Sequence, residues 1–337
     1  MSTESKTFKI VISVLIALII LTLIFFGCLF FILDRFAIIE TDYNIFIAGV
    51  AVTAMNKDDI LGDGTVAYSP QYNILYFNGA NIETDQSVIA TTHDIGICLS
   101  GENKFTSTAD GYIPLIYSSD YLIDNDIYIY GDGSLTVEYV NDCSDSGVIQ
   151  CGSLSVHSDI TITAPNCTNI TNGIVCGKDM FLRDGATVTV NLGAAKHSMA
   201  VRVRGTLLME YDTAINVVCA EGGVEMTRGI HVNGDFVIYD GSSVNVTMQD
   251  TTANTVECIR VNGLFELGSD CSVTATTAKG HAVECYGSIK LADGSTLTAT
   301  SASDDADIIA YGAFVNYGTT VTGDIEALGG TYDKSND

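Results

Sequence analysis

Three arginines and a histidine recur at equivalent places along this chain: Arg202, Arg204, His231 and Arg260. Their neighbours Val201, Val203, Ile230, Val232, Ile259 and Val261 are all apolar. Period-two alternation of that kind marks half-buried strands and turns the four basic residues to one outer face. On stacked strands Arg202 and Arg260 would lie about 9.6 Å apart, with His231 midway. Like charges so arranged repel slightly, unless an anion lies among them or glutamates elsewhere neutralise them. Guanidinium forks match carboxylates, so the chemistry predicted for this face is binding of an acidic polysaccharide such as a uronate polymer. Tyr286 and Tyr311 continue the face with aromatic surfaces on which sugar rings could pack. A plainer reading stands beside it, in which Asn233 and Asn262 form a structural amide ladder at the bend.

Other chemistries find less support. Glycoside hydrolysis needs two carboxylates about 5–9.5 Å apart, and the outward positions near the bends offer one acid, Glu284, among Arg202, Arg204, His231, Asn233, Arg260, Asn262, Tyr286 and Tyr311. No Gly-His-Gly or Asp-Asp constellation accompanies it, so no catalytic residue is expected. Asp58, Asp59 and Asp63 lie close together and could hold calcium, which takes six to eight oxygens; solvated turn aspartates are the favoured explanation. No other cofactor is implied. Of ten cysteines none forms a C-x-x-C pair, the spacing a zinc site would use. Cys143 and Cys167 fall in neighbouring loops and could pair. Cys151 and Cys176 would stack on adjacent coils with side chains pointing the same way, a poor disulfide geometry. Cys285 faces inward as a small core residue.

What positions these residues is a repeat. Glycines at 152, 177, 205, 234, 263, 287 and 312 each follow a short alternating run. A period of 24 to 29 residues belongs to a solenoid of stacked supersecondary units. In the clearest copies three alternating runs follow one another, as in Ile230 and Val232, then Phe236 and Ile238, then Val244 and Val246. Bends or turns such as Asp240-Gly-Ser-Ser separate them. No run has helical periodicity. The predicted fold is all-β, a single-stranded parallel β-helix of about nine three-strand coils over residues 87–322. Its variable loops follow the third strand and so cluster at one corner.

The chain has 337 residues, 41 acidic against 15 basic, for a net charge of −26. Such an excess would repel phosphate, so no nucleic-acid partner is expected. Residues 10–33 are apolar almost throughout, long enough to cross about 30 Å of hydrocarbon as one helix. With Lys6 and Lys9 before it, that segment reads as an uncleaved signal anchor. Residues 1–9 would be a cytoplasmic tail and the C-terminal part extracellular. Residues 41–84 form a β cap over the lower end of the solenoid, and 323–337 form a final cap and tail.

Within that cap, Ile47-Ala-Gly-Val-Ala-Val-Thr53, Asp58-Asp-Ile-Leu-Gly-Asp-Gly-Thr-Val-Ala-Tyr68 and Asn73-Ile-Leu-Tyr-Phe-Asn-Gly-Ala-Asn-Ile82 stand out. They resemble the opening module of repetitive β-helix surface proteins of anaerobic Firmicutes, many of them carbohydrate-binding-domain-like. Leu99-Ser-Gly-Glu-Asn103 resembles the step into the coils of the same proteins. The resemblance implies a surface β-helix, and with it a sugar-binding role. The expected function is therefore a membrane-anchored, non-catalytic cell-surface protein that binds glycans or acts in adhesion. A polysaccharide lyase or hydrolase and a purely structural stalk are the alternatives: paired acids on one face would favour the enzyme, and a polar, aromatic-lined groove would favour the binder.

Overall fold

The computed structural model describes residues 14–29, 42–109, 111, 113–118, 125–141, 146–220, 225–249 and 252–333. Strands between Asp42 and Asp333 assemble into three long sheets of 12, 12 and 10 strands. Each coil visits the sheets in turn. Met226–Val232 lies in the first, Phe236–Ile238 in the second and Ser243–Met248 in the third. The next coil repeats the circuit in parallel register, pairing Val232 with Val261, Ile238 with Leu267 and Val246 with Ala275. This is the parallel β-solenoid read from the alternation. With the first and last strands of the ten-stranded sheet set aside as end coils, about eight full turns remain, against the nine expected.

Inward residues form continuous apolar ladders. Val201, Val203, Ile230, Val232, Ile259, Val261 and Cys285 are fully buried, each large aliphatic among them contributing roughly 1.5–3 kcal/mol by leaving water. Aromatic rings stack within the ladders, Phe236 on Phe265 at 5.5 Å and Phe77 on Phe105 at 5.1 Å.

The marker glycines from Gly205 to Gly312 are required by close approach rather than by backbone angle. The Gly234 N–H donates to the Gly205 carbonyl at 3.0 Å, and Gly263 donates likewise to Gly234. A Cβ on Gly234 would sit 2.5 Å from the Gly205 oxygen, and one on Gly287 only 2.1 Å from that of Gly263. The bend from first to second sheet is thus a backbone stack that admits no side chain. Gly329 continues it one coil further, a Cβ there lying 2.5 Å from Gly312.

The ends differ. At the N-terminal end β1 (Asp42–Ile47) and β2 (Val50–Thr53) pair antiparallel. Ala48 and Gly49 turn between them with φ of 49° and 80°, the pair of positive angles a tight hairpin needs. A second hairpin joins β3 (Val66–Ser69) to β4 (Ile74–Asn78). The two hairpins cover the starting edges of the first and second sheets, and β4 itself already pairs in parallel with Ile95–Ser100. At the other end the last strands, Thr320–Thr322, Ile325–Ala327 and Thr331–Asp333, are largely exposed.

The N-terminal helix is described over residues 14–29 alone. No helix among the described residues is long and apolar enough to cross a membrane. Residues 1–13 and 30–33 of the expected tail and span lie outside the described residues. Cys167 is disulfide-bonded; Cys143, the partner expected for it, also lies outside them. Cys151 and Cys176 stack in register as buried free thiols.

Candidate functional site

The outer ladder of the first sheet places the predicted basic face as parity required. Arg202 pairs with His231, His231 with Arg260, and Arg260 with Glu284. Arg204, Asn233, Asn262, Tyr286 and Tyr311 follow at the bend, each N–H bonded to the coil before. The amide ladder is present, Asn262 Nδ2 donating to Asn233 Oδ1 at 3.3 Å.

Arg260 is held through its Nη1, while its buried Nε has no hydrogen-bond partner. Its Nη1 donates to Glu257 Oε1 at 2.9 Å and to Glu284 Oε2 at 3.2 Å, and its guanidinium lies 4.7 Å from the centre of the Tyr286 ring. Tyr286 stacks in turn on Tyr311, 4.6 Å away and 14° from parallel. Tyr286 is therefore held between the coil before and the coil after. Arg228 Nε donates to Glu257 Oε2 at 2.5 Å. Arg202 and Arg204 make no ion pair among the described residues.

Arg228 and Glu257 escape a reading by simple alternation, which would turn Glu257 inward with Ile259 and Val261. The ladder skips one residue in the middle coils at this place: Gly229 opposite Cys258, Gly173 opposite Ala200. Two consecutive residues face inward there, so parity flips and Glu257 comes out beside Arg260, at 5% exposure. Burial pushes the Glu257 carboxyl up, but the hydrogen bond and charge of Arg228, with the charge of Arg260, outweigh it and hold the group below its usual range. Burial and the Glu257 charge push Glu284 above its own. The two carboxyls accept from the same Arg260 Nη1. They serve the arginines.

The aspartates proposed for calcium turn to separate partners. Asp59 Oδ1 accepts from the N–H groups of Gly62 and Gly64, Asp63 Oδ1 from the Thr65 N–H and hydroxyl, and Asp58 pairs with Lys57. Among the described residues no three His, Cys, Asp or Glu side chains gather as a metal ion would need.

A concavity lies elsewhere, on the outer face of the second sheet beneath the cap. Ile95 and Ile97 point inward, as do Ile127 and Ile129, so Gly96, Tyr128 and Tyr130 face out. Register stacks Ile74, Gly96 and Tyr128 in one row and Tyr76, Cys98 and Tyr130 in the next. Gly96 has no side chain to fill its place, where a Cβ would meet Ile74 at 3.1 Å and Tyr130 at 3.4 Å. The result is a cleft of about 750 Å³ walled by Tyr72, Tyr128 and Tyr130, with His157 and Asp184 at its polar end. Tyr72, from the turn between β3 and β4, is 65% exposed and Tyr128 is 47% exposed, so their rings are open to a ligand. Tyrosine offers a flat apolar face and a polar tip, and a cleft of this size suits a small ligand or a few residues of a polymer. The outward parity of Tyr128 and Gly96 is readable in the sequence. Their meeting with Tyr72 depends on the register between the cap hairpin and the first coils. No family model matches this chain, and no curated protein or solved structure matches it.

Proposed function

We propose that this chain is a cell-surface β-solenoid that binds glycans, held at a membrane by its N-terminal apolar segment. The observation that carries the reading is the tyrosine cleft: two exposed rings and a third wall around a glycine-floored gap, with a histidine–aspartate pair at one end. Aromatic faces pack on sugar rings while the polar rim orients hydroxyls. A stalk would have no use for such a gap. The polysaccharide hydrolase alternative is weakened because Glu257 and Glu284 are joined through Arg260. Arg202 and Arg204, without ion pairs among the described residues, favour acidic glycans at a second contact on the first sheet.

A glycan array probed with the chain tests this. Binding to a subset of glycans is expected, weakened about three- to tenfold by Tyr128→Ala and less by Tyr286→Ala, whose ring is already stacked on both sides. Retention of acidic glycans should fall when Arg202 and Arg204 are both changed to Ser. An array without signal for the wild type rejects the reading.

A further inference from the structure

Beside the cleft, on the same outer face, three side chains form a relay that simple packing does not require. Leu154 and Val156 are fully buried, which turns Ser155 outward; His157, two residues on, stands on the same side. Ser155 Oγ lies 3.0 Å from His157 Nε2, and His157 Nδ1 lies 2.7 Å from Asp184 Oδ2. Asp184 reaches back from the next coil because it sits in a left-handed turn, φ 59°, followed by Gly185 at 75°. An ionised carboxylate can only accept, so Nδ1 carries a proton toward Asp184. In the singly protonated ring Nε2 is bare and accepts from the serine hydroxyl. That is the tautomer in which a histidine acts as base toward a serine.

The surroundings complete a site. Register places Ser155 between Tyr128 and Phe181, in a cavity of about 190 Å³ that Arg183 also lines. The Arg183 guanidinium, 5.4 Å from the Phe181 ring centre and bonded through Nε to Glu210 at 3.1 Å, is the positively charged group on this cavity's wall, with Asp126 also lining it. The volume admits a small acyl group, and Tyr128 separates this cavity from the larger cleft.

We propose that Ser155, His157 and Asp184 make this face a hydrolase of small acyl esters, such as O-acetyl groups, with Ser155 as nucleophile, His157 as base and Asp184 as positioning residue. Ser155 Oγ bonds to the ester carbonyl carbon as its proton passes to His157 Nε2. The carbon–alkoxy bond breaks and the alcohol leaves with that proton. Water, giving a proton to His157, then attacks the acyl-serine; the Oγ–carbon bond breaks, the acid departs and the serine regains its proton. Ester and water become acid and alcohol, with no electron transferred and no cofactor needed. That the alcohol half is a sugar rests on the glycan reading above; the acyl half does not.

The test therefore uses probes without sugar. The full chain is treated with a fluorophosphonate, the labelled peptide is mapped by mass, and hydrolysis of p-nitrophenyl acetate is followed in parallel. Labelling at Ser155 is expected, absent in Ser155→Ala, with esterase activity at least about a hundredfold above that variant and above His157→Gln. Asp184→Asn keeps a residue that tolerates positive φ; it should slow labelling about tenfold or more with the thermal midpoint unmoved, which a purely structural aspartate would not do. No labelling at Ser155, hydrolysis equal in wild type and Ser155→Ala, or an Asp184→Asn variant as fast as wild type would each overturn the relay. Neither result bears on the glycan array, and an empty array leaves this test intact.

Discussion

At the scale of single residues, the most unusual environment belongs to His231. Register sets it between Arg202 and Arg260, and neither ring nitrogen has a hydrogen-bond partner. Burial first, then the charges of Arg228, Arg260 and Arg202, push its pKa down to about 4, with Glu257 pulling weakly the other way. The ring is neutral in the folded chain and takes up a proton more readily when unfolded. Stability from this group is therefore complete above about pH 6.5 and is lost as pH falls through about 4. Allowing for the partial exposure of the ring, the loss is on the order of 2 kcal/mol. Urea midpoints at pH 7 and pH 4.5 check this: the wild type should fall further than His231→Gln. Glu257 and Glu284 titrate in both proteins, so the difference isolates the histidine. Equal falls would show that the ring does not carry the effect.

At the scale of elements, the skipped residue in the middle first-sheet strands decides which side chains reach the outer face. Gly229 occupies it in the His231 coil, and a Cβ there would meet Val246 Cγ1 at 2.4 Å and the Cys258 carbonyl at 2.5 Å. Neither neighbour can yield cheaply, one being a core side chain and the other backbone of the next coil. Gly229→Ala should cost about 1–3 kcal/mol by overpacking, read as a lowered denaturation midpoint. Ala200 and Cys258 take the same place in other coils and are fully buried, so the demand for glycine belongs to particular coils and not to the bulge as such. An Ala variant as stable as wild type would mean that Val246 repacks freely.

At the scale of the molecule, the solenoid is a rod on the order of 40 Å long, covered at its N-terminal end by two hairpins and ending in exposed strands. The connections from third to first sheet, residues 193–196, 278–280 and 302–307 among them, all fall at one corner. If the N-terminal apolar segment holds the chain to a membrane with the rod outside, protease added to intact cells should cut at this corner. An epitope placed before Lys6 should remain protected. Loss of the epitope, or release of a chain starting near Phe36, would refute the anchor. The net charge of −26 would keep such a rod off an anionic bilayer.

The solenoid, its three strands per coil, the inward ladders and the marker glycines were all decided by the sequence, because a side-chain period of two and a repeat of fixed length leave few ways to bury so many short apolar runs. The outward parity of Arg202, His231 and Arg260 followed from the same periodicity. Three things waited on the tertiary structure. The bulge reversed parity at Glu257, which alternation cannot reveal, and so gave Arg260 its partners. Register between coils of unequal length brought Tyr72, Gly96 and Tyr128 into one cleft, though they are far apart along the chain. The left-handed turn at Asp184 carried a carboxylate back over His157. In each case the deciding quantity was a distance between neighbouring coils, set by hydrogen-bonded backbone stacking that no single strand contains.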